Sequence, residues 1–161
     1  MGMSNRRTRW EPVARHAAQV VGIDPDIFVA MITVESDWQP QATGAAGEVG
    51  LGQIIPHWHP LADVLNPVNN LAYAAALLRQ HLDEFGGYRL AIAAYNSGAG
   101  AVREAGNTVP YTITTQHLAR VNAELERMGQ PRMDTVPPDN SGAVTGALVL
   151  VGLVVAWAIF S

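Results

Sequence analysis

Hydrophobic residues recur along this chain at helical spacing, separated by short polar or glycine-rich breaks. The first group, Val13, Ala14, Ala17, Ala18 and Val21, forms one face of a helix that Glu11-Pro12 opens and Gly22 closes. Asp24-Pro25 then starts a second helix, because an Asp side chain accepts from the free amides and Pro suits the first helical position. From Ile27 that helix is apolar on every side (Phe28, Val29, Ala30, Met31, Ile32, Val34), which predicts near-complete burial. Asn66-Pro67 caps a long amphipathic helix carrying Leu71, Ala74, Ala75, Leu78, Leu82 and Phe85, and Gly86-Gly87 ends it as a left-handed cap. Arg89 to Ala94 predicts a short, almost wholly apolar helix at the centre of the core, delivering Tyr95 and Asn96 to a turn fixed by Gly98 and Gly100. Gly106 to Thr112 reads as a loop, and a last helix runs to about Met128, where Gly129 and Pro131 stop it. Gln39 to Pro56 has too many glycines for a helix and predicts an irregular loop or short hairpin. The class is mainly α.

Beyond this domain the pattern changes twice. Gln130 to Ser141, with Pro131, Pro137, Pro138, Asp134 and Asp139, has the composition of a linker. Gly142 to Phe160 contains no charge and only Thr145 as a polar side chain. As a helix it would be about 28 Å long, close to the hydrocarbon thickness of a bilayer. It predicts a transmembrane tail anchor, with Trp157 placed for the interface. The expected organisation is a domain over 1–128, a linker over 129–141 and a membrane helix over 142–161. At the other end, Met1 to Trp10 is polar, with Arg6, Arg7 and Arg9, and reads as a frayed terminus. No apolar core follows these positive residues, as an export signal would require.

Composition narrows the function classes. A length of 161 residues fits one domain plus an appendage. The chain has no Cys, so disulfides and thiolate metal sites are excluded, and a net charge of -4 argues against nucleic acid as the main partner. His57-Trp58-His59 offers weak metal-ligand spacing without nearby acids, and favours loop packing or substrate contact instead.

The candidate chemistry starts at Glu35, the first acid after the buried apolar run. A carboxyl at the end of a buried helix is partly desolvated, which favours its protonated form and leaves a proton to donate. The following run Gly47-Glu48-Val49-Gly50-Leu51-Gly52-Gln53 suits a backbone that bends sharply beside a ligand. One acid beside such a cleft wall could cleave an acetal. Taken alone, Tyr95 reads as a core aromatic and Asn96 as a helix-end cap.

Glu35-Ser36, Pro40, Ala42, Gly47, Gly50-Leu51, Gln53 and Pro56 fall in register with the pattern of lytic transglycosylases (SLT type), lysozyme-like enzymes that cut peptidoglycan. Ala94-Tyr95-Asn96-Ser97-Gly98 matches their second motif, and the resemblance covers roughly residues 13–121. Gly52 stands where the family usually has Met, Gly44 where Ser is frequent, and Glu48 at a position for a small residue. The Tyr often found in the helix after the loop is unmatched in Thr114-Thr115-Gln116-His117-Leu118. The resemblance implies a lysozyme-like fold and cleavage of the β-1,4 bond between N-acetylmuramic acid and N-acetylglucosamine. Glu35 would be the catalytic acid and base, and Ser36, Gly50, Leu51, Gln53, Tyr95 and Asn96 would contact substrate, with no metal or cofactor. Two alternatives stay open: a goose-type lysozyme that uses Glu48 as a second carboxylate, and a non-catalytic glycan-binding or structural membrane protein. A small transglycosylase followed by a terminal anchor resembles the virion enzymes of bacteriophages with an internal membrane. A bacterial envelope protein is the other location.

Overall fold

A computed structural model describes residues 3–58 and 63–137. The apolar run at 142–160, the end of the expected linker and His59 lie outside these residues. No helix among the described residues is long and apolar enough to cross a membrane.

Helix α2 (Pro25–Ser36) organises the fold, and its residues Ile27 to Ile32 are buried. Asp24 caps it as the sequence predicts: its Oδ1 accepts from the backbone N–H groups of Asp26 at 2.8 Å and Ile27 at 3.1 Å. At the other end Asp37 and Trp38 both take left-handed backbone angles, φ 51° and 61°. Such angles cost non-glycine residues roughly 1–3 kcal/mol each. Complete burial of Trp38 and its Nε1–H bond to Thr33 Oγ1 at 3.0 Å offset that cost. The turn fixes the helix end on which Glu35 sits.

Helices α1 (Met3–Val21) and α6 (Thr112–Arg127) pack against α2. Helix α1 also packs on α3 (Pro67–Phe85), and α3 packs on α4 (Tyr88–Ser97). Asn66 caps α3 by accepting from Val68 and Asn69, and Gly86 closes it at φ 71°. Helix α4 carries the buried run Ala91 to Ala94 into the core, and α5 (Ala99–Glu104) follows it after Gly98. Between α2 and α3 the chain makes two isolated antiparallel bridges, Thr43 with Val49 and Val49 with Ile54, which is the short hairpin-like loop expected of 39–56.

Three expectations need correction. The amino-terminal stretch is helical from Met3, with Pro12 inside the helix, and is not frayed. Ion pairs override the weak local signal: Arg6 with Asp37 at 3.1 Å and Arg7 with Glu124 at 2.8 Å are tertiary, and Arg7 with Glu11 at 2.6 Å lies within the helix. Gly98 alone, at φ 85°, breaks the chain after α4, while Gly100 lies within α5. The stretch assigned to a linker begins as part of the domain. Residues Met133–Thr135 form a 3-10 turn, Met133 is buried, and its N–H donates to Asn122 Oδ1 at 3.0 Å.

Candidate active site

A groove of about 610 Å³ opens between the 39–58 loop and helices α3 and α4, and Glu35 lines it together with Glu48, Gln53, Trp58, Tyr95 and Asn96. The apolar packing of α2 against α6 and α1 leaves the Glu35 side chain only 12% exposed. Burial pushes its carboxyl up to about 8, and the charge of Glu48 adds to the rise while Arg120 opposes it. At neutral pH Glu35 therefore holds a proton at the edge of a solvent-filled groove, the state a general acid needs.

The groove wall is fastened through backbone atoms. Asn70, fully buried on α3, donates from Nδ2 to the carbonyls of Val49 and Val64, both at 2.9 Å, and accepts from the Gly52 N–H at 2.7 Å. Tyr95 Oη donates to the Gly52 carbonyl at 2.5 Å. Burial, with Glu35 next in influence, holds the Tyr95 phenol well above its usual range, so it stays neutral. Gln53, at φ 49°, is pinned by its own side chain, whose Nε2 donates to the carbonyls of Gly50 at 2.8 Å and Ala42 at 3.3 Å.

The glycines follow from these contacts. Gly50 combines φ 78° with an Asn70 amide lying where a side chain would stand. At Gly52 a Cβ would come within 2.6 Å of Ala74 Cβ and 3.1 Å of Tyr95 Oη. The departure from the family's usual Met thus has a packing cause in this chain.

Of the expected site residues, Glu35, Glu48, Gln53, Tyr95 and Asn96 come together on the groove. Ser36, Gly50 and Leu51 do not line it. Ser36 is buried and bonds back to the Ile32 carbonyl at 3.4 Å, Leu51 is a core residue, and Gly50 supports the loop. Their part is to shape the wall, and none offers a side chain to a ligand there. Glu48 uses Oε2 to accept the Ala46 N–H at 2.9 Å, tying it to its own loop. Sequence reasoning missed Asn70, His81 and His117. His81 lines the groove from α3, and His117 Nε2 lies 3.3 Å from Glu35 Oε1. Each sits beside other polar residues in an amphipathic helix, with no local signal of its role. His57 and Trp58 are exposed beside the groove, and no cluster of three or more potential metal ligands occurs among the described residues.

A helical bundle is the architecture its motifs imply, and comparison with known proteins agrees. The family description "Transglycosylase SLT domain" matches residues 12–117, and the chain belongs to this family of lytic transglycosylases. It is 28% identical over 166 residues to a transglycosylase of Enterobacteria phage PRD1, covering 90% of this chain and 62% of that protein. With the membrane-bound lytic murein transglycosylase C of Haemophilus influenzae it shares 34% identity over 119 residues, 60% of this chain and 33% of that one. An inactive mutant of the lytic transglycosylase Slt from Pseudomonas aeruginosa superposes with a TM-score of 0.62 at 23% identity, covering 76% of this chain and 25% of that chain. That likeness shows a shared fold. The chain spans less than two thirds of the length of each of these relatives.

Proposed function

We propose that this protein is a peptidoglycan lytic transglycosylase in which Glu35 acts first as acid and then as base. The observation that carries the reading is a buried carboxyl, protonated up to about pH 8, on the wall of a groove in a domain of this family. Glu35 gives its proton to the glycosidic oxygen as the bond from C1 of N-acetylmuramic acid breaks, and the N-acetylglucosamine leaves with a free 4-hydroxyl. The resulting carboxylate takes the proton of the muramic C6 hydroxyl, whose oxygen bonds to C1 and closes a 1,6-anhydro ring. Glu35 ends protonated again, and no water is consumed. A value near the working pH suits one residue to both roles. Gln53, Tyr95 and Asn96 support this reading by sharing the groove, and exposed Trp58 offers an apolar face to a sugar ring.

The test is Glu35→Gln, which keeps the shape and removes the titratable proton. A folded Glu35→Gln protein should lose activity on purified cell wall by about two to four orders of magnitude. Wild-type activity in that variant overturns the mechanism.

A second reading, hydrolysis of the goose-type lysozyme kind, draws on Glu48, which shares the groove and raises the Glu35 titration. Two carboxyls about 6.5–9.5 Å apart can hold an attacking water. The bond from Glu48 to its own loop favours a structural role. Glu48→Gln should accordingly retain most activity, with 1,6-anhydromuramyl ends as the main product by mass spectrometry. Reducing-end muramic acid, lost in Glu48→Gln, would make the enzyme a lysozyme.

We further infer that the apolar segment 142–160 anchors the domain to a membrane and that the enzyme opens the wall locally during phage entry. The phage relative supports the virion role, and the name of the Haemophilus relative supports membrane attachment. Detection of the protein in purified particles tests the location, since its absence there leaves the bacterial envelope.

A further inference from the structure

Two sealed polar atoms face each other behind the groove. His117 Nε2 and Glu35 Oε1 lie 3.3 Å apart, both are closed off from solvent, and neither makes an aligned hydrogen bond, with the other or with any other described group. Leaving a buried donor or acceptor unsatisfied costs about 1–3 kcal/mol, so the pairing of these two atoms calls for a reason. His117 sits in the middle of α6, which packs on α2, and is itself 2% exposed.

The tautomer follows from its second neighbour. His117 Nδ1 lies 3.4 Å from Arg120 Nη2. A guanidinium donates and never accepts, so Nδ1 must present its lone pair. Burial, and then the Arg120 charge, hold the imidazole down at about 4, so at neutral pH it carries a single proton. That proton is on Nε2, the nitrogen that lies 3.3 Å from Glu35 Oε1. Oε1 is the sealed oxygen and Glu35 lines the groove, which leaves Oε2 as the oxygen for the groove side.

We propose that His117 is a positioning residue for Glu35: its Nε2–H, with the tautomer set by Arg120, keeps Oε1 as an acceptor and leaves the transferable proton on Oε2, facing the glycan. The proposal rests on Glu35 being the acid. The 3.3 Å contact needs only a small shift to become an aligned hydrogen bond when substrate binds. A donor to Oε1 favours the carboxylate, so it counteracts burial and keeps Glu35 able to give up its proton as well as hold it. The other groups facing Glu35 are Arg120 from α6, Glu48 from the loop and Tyr95 from α4, with His81 of α3 on the same groove.

The experiment compares the full chain with His117→Phe, which keeps a buried ring without the N–H, and with His117→Gln, which returns an N–H donor. Carbon NMR follows the Glu35 carboxyl titration in the absence of substrate, and steady-state kinetics on soluble glycan give kcat and KM separately. In His117→Phe the Glu35 titration, and with it the basic limb of the activity profile, should rise by about one pH unit. Its kcat should fall on the order of tenfold with KM within twofold, and His117→Gln should recover most of both changes. Unchanged titration and kcat in folded His117→Phe overturn the proposal. Should the Phe variant not fold, nitrogen NMR of the wild-type imidazole decides: a neutral Nε2–H ring supports it, and an Nδ1–H ring or an imidazolium at neutral pH overturns it. A shifted Glu35 titration in a protein whose wild type cleaves no glycan would defeat the catalytic reading while sustaining the positioning one.

Discussion

The surroundings of Glu35 do not suit a charge, and the protein is destabilised by that arrangement. Its carboxyl titrates at about 8 in the folded chain against 4.5 for the free side chain. The folded state therefore holds a proton that the unfolded state has released. Stability from this residue is fully present below the unfolded value and is lost as pH rises through the folded one. Glu35→Gln, neutral throughout, should melt above the wild type at pH 8, and the gap should close toward pH 4.5 in thermal unfolding monitored by circular dichroism. The difference is on the order of a few kcal/mol, reduced by the open edge of the site. Glu35 was legible in the sequence because a buried apolar run ends on it and two ordered motifs frame it. His117 was not, since its meaning depends on a contact with a residue far along the chain, and a lone histidine carries no spacing to read.

At the level of elements, the caps and breaks were legible and the fastenings were not. Asp24, Asn66 and Gly86 act where local chemistry predicted, because capping is decided within a few residues. Asn70 looks like any polar position on an amphipathic helix, yet it holds the loop by two hydrogen bonds to backbone atoms and the stretch before α3 by a third. Gly52 was visible as a departure, and only packing explains it. Gly52→Met should destabilise the fold by about 1–3 kcal/mol, because its Cβ drives into Ala74. A second change, Ala74→Gly, vacates that space and should return part of the loss in chemical denaturation. Equal losses in the single and double variants would show that Ala74 is not the obstacle.

Across the whole molecule, the mainly helical bundle was readable from periodicity, whereas both ends of the domain were set by long-range contacts. Met133 is buried against Asn122 and α4, in a stretch whose prolines suggested a linker. A chain ending at Pro137 should fold cooperatively and cleave isolated peptidoglycan. One ending at Met128 should be less stable by about 1.5–3 kcal/mol, the worth of one large buried side chain, with a lower melting temperature as the readout. The amino-terminal helix has a practical consequence of its own. Arg6 grips Asp37, two positions beyond the acid, and Arg7 grips Glu124 on α6, the helix that supplies His117. The amino end is thus a poor handle: an affinity tag, a surface tether or an optical-trap linkage attached there transmits its pull straight to the turn behind Glu35.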